Sequence, residues 1–333
     1  SIGSGLKSAT STLSTLNQNF KEGSGFEDAS LNSSKNVRSK TASSLGLFSK
    51  GTTNNTDAIK LVFDGYISSY INDVQTPAAV NGTVATAGNA GVADGKRFVN
   101  GDGLEYNQAF LKALNGGLVV DQVSNHYFNR LDDDNFDSFN NFRTENDLET
   151  LVGDDNFTTM EHHWDEAYGY IYGVSADDDV LMQKYINRVE EDQDFKGTAQ
   201  TLVDAFAIGR AAIVAKNYKV RDEAITVIRS EIGKVIGIRA VYYLQQGKTK
   251  LSDRVKAFHD FSEGYGFIYS LQFVSLDGVT PLFTQMEVNG FINDLEAGNG
   301  FWDVSESKLD EISNAIAAKF SFSVAQAATL EKA

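Results

Sequence analysis

A chain of 333 residues that is 41% apolar can bury one large core or two ordinary ones, which excludes wholesale disorder. With 45 Asp+Glu against 29 Lys+Arg, its net charge of -16 argues against a nucleic-acid binder and disfavours anionic lipid surfaces. Cysteine is absent, which rules out disulfide scaffolds, thiolate zinc sites, Fe–S clusters and cysteine nucleophiles together.

Residues 1–34 are rich in Ser, Thr, Asn and Gly, the composition of a flexible N-terminal tether. Opening on Ser1 rather than Met, the chain reads as a processed product that has lost an N-terminal signal or lipid-carrying cysteine. Apolar residues at 3–4-residue spacing predict helices over 36–49 and 56–73. The small-residue stretch 76–100, with Pro77, reads as a loop before a long helix over 103–126. After an acidic, irregular stretch at 131–156 come helices near 156–173, 178–192, 196–217, 219–246 and 250–273. Shorter ones follow at 285–296 and 305–319. Only two prolines, Pro77 and Pro281, interrupt this pattern, and Leu271–Leu276 is the best strand candidate but extends a helix equally well. The expectation is an all-α protein of helical bundles, divided at 35–175 and 176–333.

Two segments repeat without gaps, their numbers differing by 97 throughout. His162-His163-Trp164-Asp165-Glu166-Ala167-Tyr168-Gly169-Tyr170-Ile171-Tyr172-Gly173 aligns with His259-Asp260-Phe261-Ser262-Glu263-Gly264-Tyr265-Gly266-Phe267-Ile268-Tyr269-Ser270. In a chain with four histidines, matched His and Glu positions predict an internal duplication and two pseudo-symmetric bundles. In each copy His and Glu stand four apart, on one face of a helix, and His163–Glu166 stand three apart. Imidazole plus carboxylate at such spacing is how bundles build metal sites. The predicted ligands are Glu166, His259 and Glu263 with one of His162 and His163, for which the repeat register favours His162, gathered into one shared site because a single pair offers too few donors. Each copy also carries a helix-weakening glycine, which predicts close approach of a neighbouring element.

His163-Trp164-Asp165-Glu166 is similar to the His-x-x-Glu motif of imelysin-like proteins, helical and built from two related bundles; the resemblance implies His163 as the ligand, with His162 supporting. The longer string from His162 to Tyr170 also resembles that of an uncharacterised bacterial lipoprotein family, a domain of unknown function. The resemblance implies an exported, iron-associated metal-binding lipoprotein, periplasmic or on the outer cell surface, with zinc as second choice of metal. It implies a cell-surface or periplasmic partner protein, and membrane contact only through the lost anchor. A metallopeptidase and a metal-free scaffold for a peptide, glycan or protein are the alternatives.

Charges on apolar helical stripes mark further candidates. Glu231 and Arg239 lie on the apolar helix 219–246, Arg210 lies within Phe206–Ala211, and Glu105 opens the long helix. Each is read as a structural ion pair or as support for the metal ligands. The acidic run Asp132–Ser138 lacks the glycine and terminal glutamate of a calcium loop and reads as a solvated loop. Asp177–Asp179 reads as a helix cap. No phosphate-binding glycine motif, serine elbow or His-Glu-x-x-His occurs, which argues against nucleotide chemistry and serine hydrolysis.

Overall fold

A computed structural model describes residues 1–44, 47, 56–133, 141–173 and 181–329. The helices are α1 Ile2–Gly5, α2 Leu13–Asn17, α3 Val37–Lys40 and α4 Thr56–Ser69. A two-stranded hairpin follows, β1 Gly91–Ala93 and β2 Arg97–Val99, then α5 Tyr106–Leu114, α6 Phe142–Asp147, α7 Thr159–Tyr172, α8 Leu181–Glu190 and α9 Thr198–Val214. The chain continues with α10 Tyr218–Lys248, α11 Phe258–Ser270, α12 Gln285–Glu296, α13 Glu306–Phe320 and α14 Val324–Ala328. The protein is all-α, and no helix among the described residues is long and apolar enough to cross a membrane.

Two rods organise the packing. The first runs from α5 without a break through π-type turns at Asn115–Tyr127. The second is α10, 31 residues long, with buried positions on every side along its C-terminal half. Helix α11 lies against both α5 and α10, whereas α7 lies against Asn115–Tyr127 and α9. One apolar core therefore runs through both halves of the sequence, from Phe20 and Phe63 to Phe283 and Ile316.

The structure departs from the sequence reading at four places. Residues 1–34 are not a free tether: Leu6, Leu16 and Phe20 are buried, and Phe20 meets Phe110 edge-on at 5.2 Å. Pro77 lies within a π-type continuation of α4 at Tyr70–Val80 rather than in a loop, and α3 is one turn rather than a helix over 36–49. The stretch read as a loop folds into the β1–β2 hairpin, with Asp94 and Gly95 both at positive φ as a tight primed turn requires. Of the two readings of Leu271–Leu276 the helical one holds at its start: Leu271–Phe273 extends α11 as a 3-10 turn, and Ser275 makes an isolated bridge to Pro281. Much of the acidic run Asp132–Ser138, and Asp177–Asp179, lie outside the described residues. Asp133 itself accepts from the Arg143 and Thr144 backbone N–H groups at the start of α6.

The segment after α3 is clamped to the first rod by a buried carboxylate. Asp121 accepts from the Ser44 hydroxyl at 2.5 Å and the Ser44 N–H at 3.0 Å, and Asn125 donates to it at 3.3 Å. Burial pushes the Asp121 carboxyl up to about 6, and the Ser44 bonds only partly oppose that. The Asp121 charge acts in turn on Lys60, where burial and Arg38 outweigh it and lower the ammonium. Since the folded value exceeds the unfolded 3.8, this group's stabilising term is complete below that value and disappears as pH rises through about 6. Chemical denaturation of wild type and Asp121→Asn over about pH 3.5–7 is expected to show a difference that changes by up to about 3 kcal/mol in this window. A pH-independent difference contradicts the buried-carboxylate account.

Candidate functional site

The motif helix α7 begins with a capping box, in which Thr158 accepts from the Glu161 N–H and the Glu161 carboxylate accepts from the Thr158 N–H. Trp164 points into the core, its Nε1 donating to the Phe206 carbonyl at 3.0 Å, over Gly209. Arg210 ties α9 to α7 through Glu161 at 2.7 Å and Asp165 at 3.0 Å, so this predicted supporting residue is a structural pair.

Past Trp164 the remaining polar side chains of α7 separate by depth. His162 is exposed, stacks on Phe157 at 5.1 Å, and brings Nε2 to 3.7 Å from Glu166 Oε2. His163 turns inward, between Phe142 at 4.8 Å and Tyr127 at 5.8 Å, with Nδ1 buried and without a hydrogen-bond partner among the described residues. Burial, then the charges of Arg130 and His162, push the His163 imidazole down to about 4, against hydrogen bonding to the Arg130 backbone. The Tyr127 and Tyr170 hydroxyls lie close to Glu166. Burial first, helped by that carboxylate, raises both, Tyr170 to about 12 and Tyr127 further. His126 touches the same Tyr127 ring at 4.9 Å, and its Nε2 lies 3.1 Å from Arg130 Nη1. Two of the four histidines, His126 and His163, thus flank one tyrosine.

The second copy keeps the spacing in a different setting. His259 Nε2 stands 3.8 Å from Glu263 Oε2, and His259 Nδ1 is 3.0 Å from Glu105 Oε1. Glu105 is the N-cap residue of α5, but its carboxylate reaches across to α11 instead of capping. Glu263 is paired with Lys112 at 2.8 Å, and Lys112 also donates to Gln108 at 2.6 Å. Burial pushes the Glu263 carboxyl up, but Lys112, His259 and Arg239 outweigh it, leaving a net shift below the usual carboxylate range. Asp260 pairs with Lys250.

Arg239 lies beside this network, 5% exposed. Its guanidinium faces the rings of Tyr242 at 4.2 Å, Tyr243 at 4.5 Å and Tyr185 at 5.7 Å. Glu231 is half-buried and paired with Lys234 at 2.6 Å, a local structural pair. Lys112 is the participant missed in the sequence, although its place beside Phe110, Ala113 and Leu114 put it on a buried helix.

The two His/Glu pairs do not meet. Glu263 contacts Lys112, whereas Glu166 neighbours Tyr127, 15 positions further along the same rod, a rise of roughly 20 Å. One ion bridging both pairs is therefore excluded. Among the described residues, no group of three or more His, Asp or Glu side chains converges where a metal could sit.

The chain belongs to the family described as a domain of unknown function (DUF4856), which matches residues 2–323. No curated protein and no solved structure matches it.

The repeated glycine behaves differently in its two positions. A Cβ at Gly266 would lie 2.5 Å from Lys112 Cβ and 2.8 Å from the Ala109 carbonyl, whereas one at Gly169 would meet nothing within 4 Å. Gly266→Ala is expected to destabilise by about 1–3 kcal/mol through overpacking at α5. Gly169→Ala is expected to stabilise by about 0.5–1 kcal/mol through helix propensity. Urea denaturation of both variants checks this, and like signs would refute the asymmetry.

Proposed function

We propose that the chain is a non-enzymatic metal-binding protein that takes a transition ion, iron first and zinc second, at the His163–Glu166 face of α7. One observation carries this reading: His163, whose buried Nδ1 has no hydrogen-bond partner among the described residues, packs on the Tyr127 ring, and the Tyr127 hydroxyl lies close to Glu166 on the same helix as His163. A ligating imidazole must be neutral with one free lone pair, and burial favours the neutral ring. Nitrogen and oxygen donors without thiolate suit iron or zinc. The similarity of His163-Trp164-Asp165-Glu166 to the imelysin-like motif supports iron as the first choice.

Binding requires half-exposed Glu166 and exposed His162 to turn toward Nδ1, since the donors stand apart in the unliganded arrangement. The proposal is confined to the first copy. At the second, Glu105 already occupies one His259 nitrogen and Lys112 already neutralises Glu263. Descent of α7 and α11 from one duplicated unit is also a proposal. It is supported by the same Nε2–Oε2 approach in both, at 3.7 and 3.8 Å. A cysteine-free chain is indifferent to redox poise, which supports the exported reading.

Calorimetric titration of Fe(II) and Zn(II) into the wild-type chain tests the site. Glu166→Ala and His163→Gln are each expected to weaken binding by about tenfold or more, with His259→Gln close to wild type. Equal affinity in wild type and Glu166→Ala would remove this face from consideration.

A further inference from the structure

We infer that the trough between α9 and α10 is a docking site for a cationic amphipathic helix of a partner protein. The two helices form a hairpin, closed by the turn at 215–217, where Lys216 takes positive φ. Asp204, Ala205 and Ile208 on α9, and Glu223, Ala224 and Val227 on α10, repeat the same spacing on facing stripes and line a cavity of about 340 Å³.

The floor is made of small residues, Ala205 and Ala224, which lets a third backbone come close. The rims are aliphatic and left open to water, with Ile208 53% and Val227 38% exposed. Val203 and Val214 extend the exposed apolar surface of α9. Its opposite side is already covered, Gly209 lying beneath the Trp164 ring of α7. A helix hairpin with a small-residue floor and aliphatic rims is two-thirds of a three-helix bundle, and ridges of a third helix fit such a groove.

Charge selects the occupant. Asp204 accepts from Gln200 at 2.8 Å and, among the described residues, forms no ion pair. Glu223 pairs, among the described residues, with exposed Lys219 alone, at 3.9 Å. A lysine or arginine on the incoming helix can pair with both carboxylates while its apolar neighbours cover Ile208 and Val227. A second copy of this chain would instead bring Asp204 and Glu223 against like charges, in a molecule already at -16.

The test uses the full chain and a labelled synthetic helix of about 18 residues, with leucines on one face and lysines flanking them. A matched peptide carries glutamate for lysine. Fluorescence anisotropy is expected to show the lysine peptide binding about tenfold or more tighter than the glutamate peptide. The exposed-site double variant Asp204→Lys with Glu223→Lys is expected to reverse that preference. Ile208→Asp is expected to weaken the lysine peptide by about tenfold, with circular dichroism checking that each variant is folded. Equal binding of the two peptides, failure of the lysine peptide to bind, or loss of no affinity in the variants would overturn the proposal. So would sedimentation showing a wild-type dimer that Ile208→Asp converts to monomer, since the trough would then be a self-interface.

Discussion

The fold depends on burying α10, a helix that carries Arg221, Arg229 and Arg239 where its surroundings are apolar. All three are nearly inaccessible, at 1%, 8% and 5% exposure, and an uncompensated guanidinium there would cost several kcal/mol. Each is compensated differently. Arg221 has two carboxylates, Asp132 at 2.8 Å and Asp222 at 2.7 Å. Arg229 donates to the Ser124 carbonyl and Asn129, without a carboxylate in contact, and burial lowers it to about 10. Arg239 relies on aromatic faces, an electrostatic attraction that strengthens when water is excluded. The first rod is thereby tied to α10 at Ser124 and Asn129, and Tyr185 of α8 is set against its far end.

Helical periodicity was legible because the stripes of α9 to α13 are long and regular. Their observed ends fall within three residues of the expected ones, except that α11 starts at Phe258 rather than 250, after a 3-10 stretch at Leu251–Lys256 with non-helical Asp253. The N-terminal segment was misread for a physical reason. Its Ser, Thr, Asn and Asp residues are caps of short helices: Thr12 accepts from Thr15 N–H, Asp28 from Ser30 N–H and Asn36 from Ser39 N–H. Composition alone does not separate capping hydroxyls from solvated ones. Too few apolar residues, Leu6, Leu16 and Phe20, mark the buried side of this segment. Asp94-Gly95 did carry a hairpin signal, hidden by the surrounding alanines and glycines. Pro77 sits in π-type turns, where widened hydrogen bonding absorbs an interruption that would break a regular helix.

The candidate site was legible along each helix but not between helices. Spacing placed His and Glu one turn apart in both copies, as found. Their neighbours come from far away in sequence: Glu105 reaches His259 across 154 positions, and Tyr127 belongs to the rod beneath α7. No periodicity encodes such a meeting. The shared-site expectation therefore failed on docking, since α7 and α11 contact different stretches of the same rod.

Docking also explains why similar strings ended in unlike chemistry. Gly266 lets α11 approach α5 closely, and Ser270 fixes that approach by accepting from the Gly116 N–H at 2.9 Å. Clasped between α5 and α10, the helix has twelve of its thirteen residues buried, so its Glu263 needs a cation and Lys112 supplies it. Helix α7 packs against Asn115–Tyr127 and α9 but buries only four of its fourteen residues: no described atom lies within 4 Å of a Cβ at Gly169, and Tyr168 is 41% exposed. Among the described residues no lysine or arginine contacts its Glu166, which stays part-exposed beside His162. A helix buried along one stripe leaves its polar groups near solvent, while one buried nearly throughout has committed them to partners in the core. The same glycine in the same register thus closes one copy and leaves the other open.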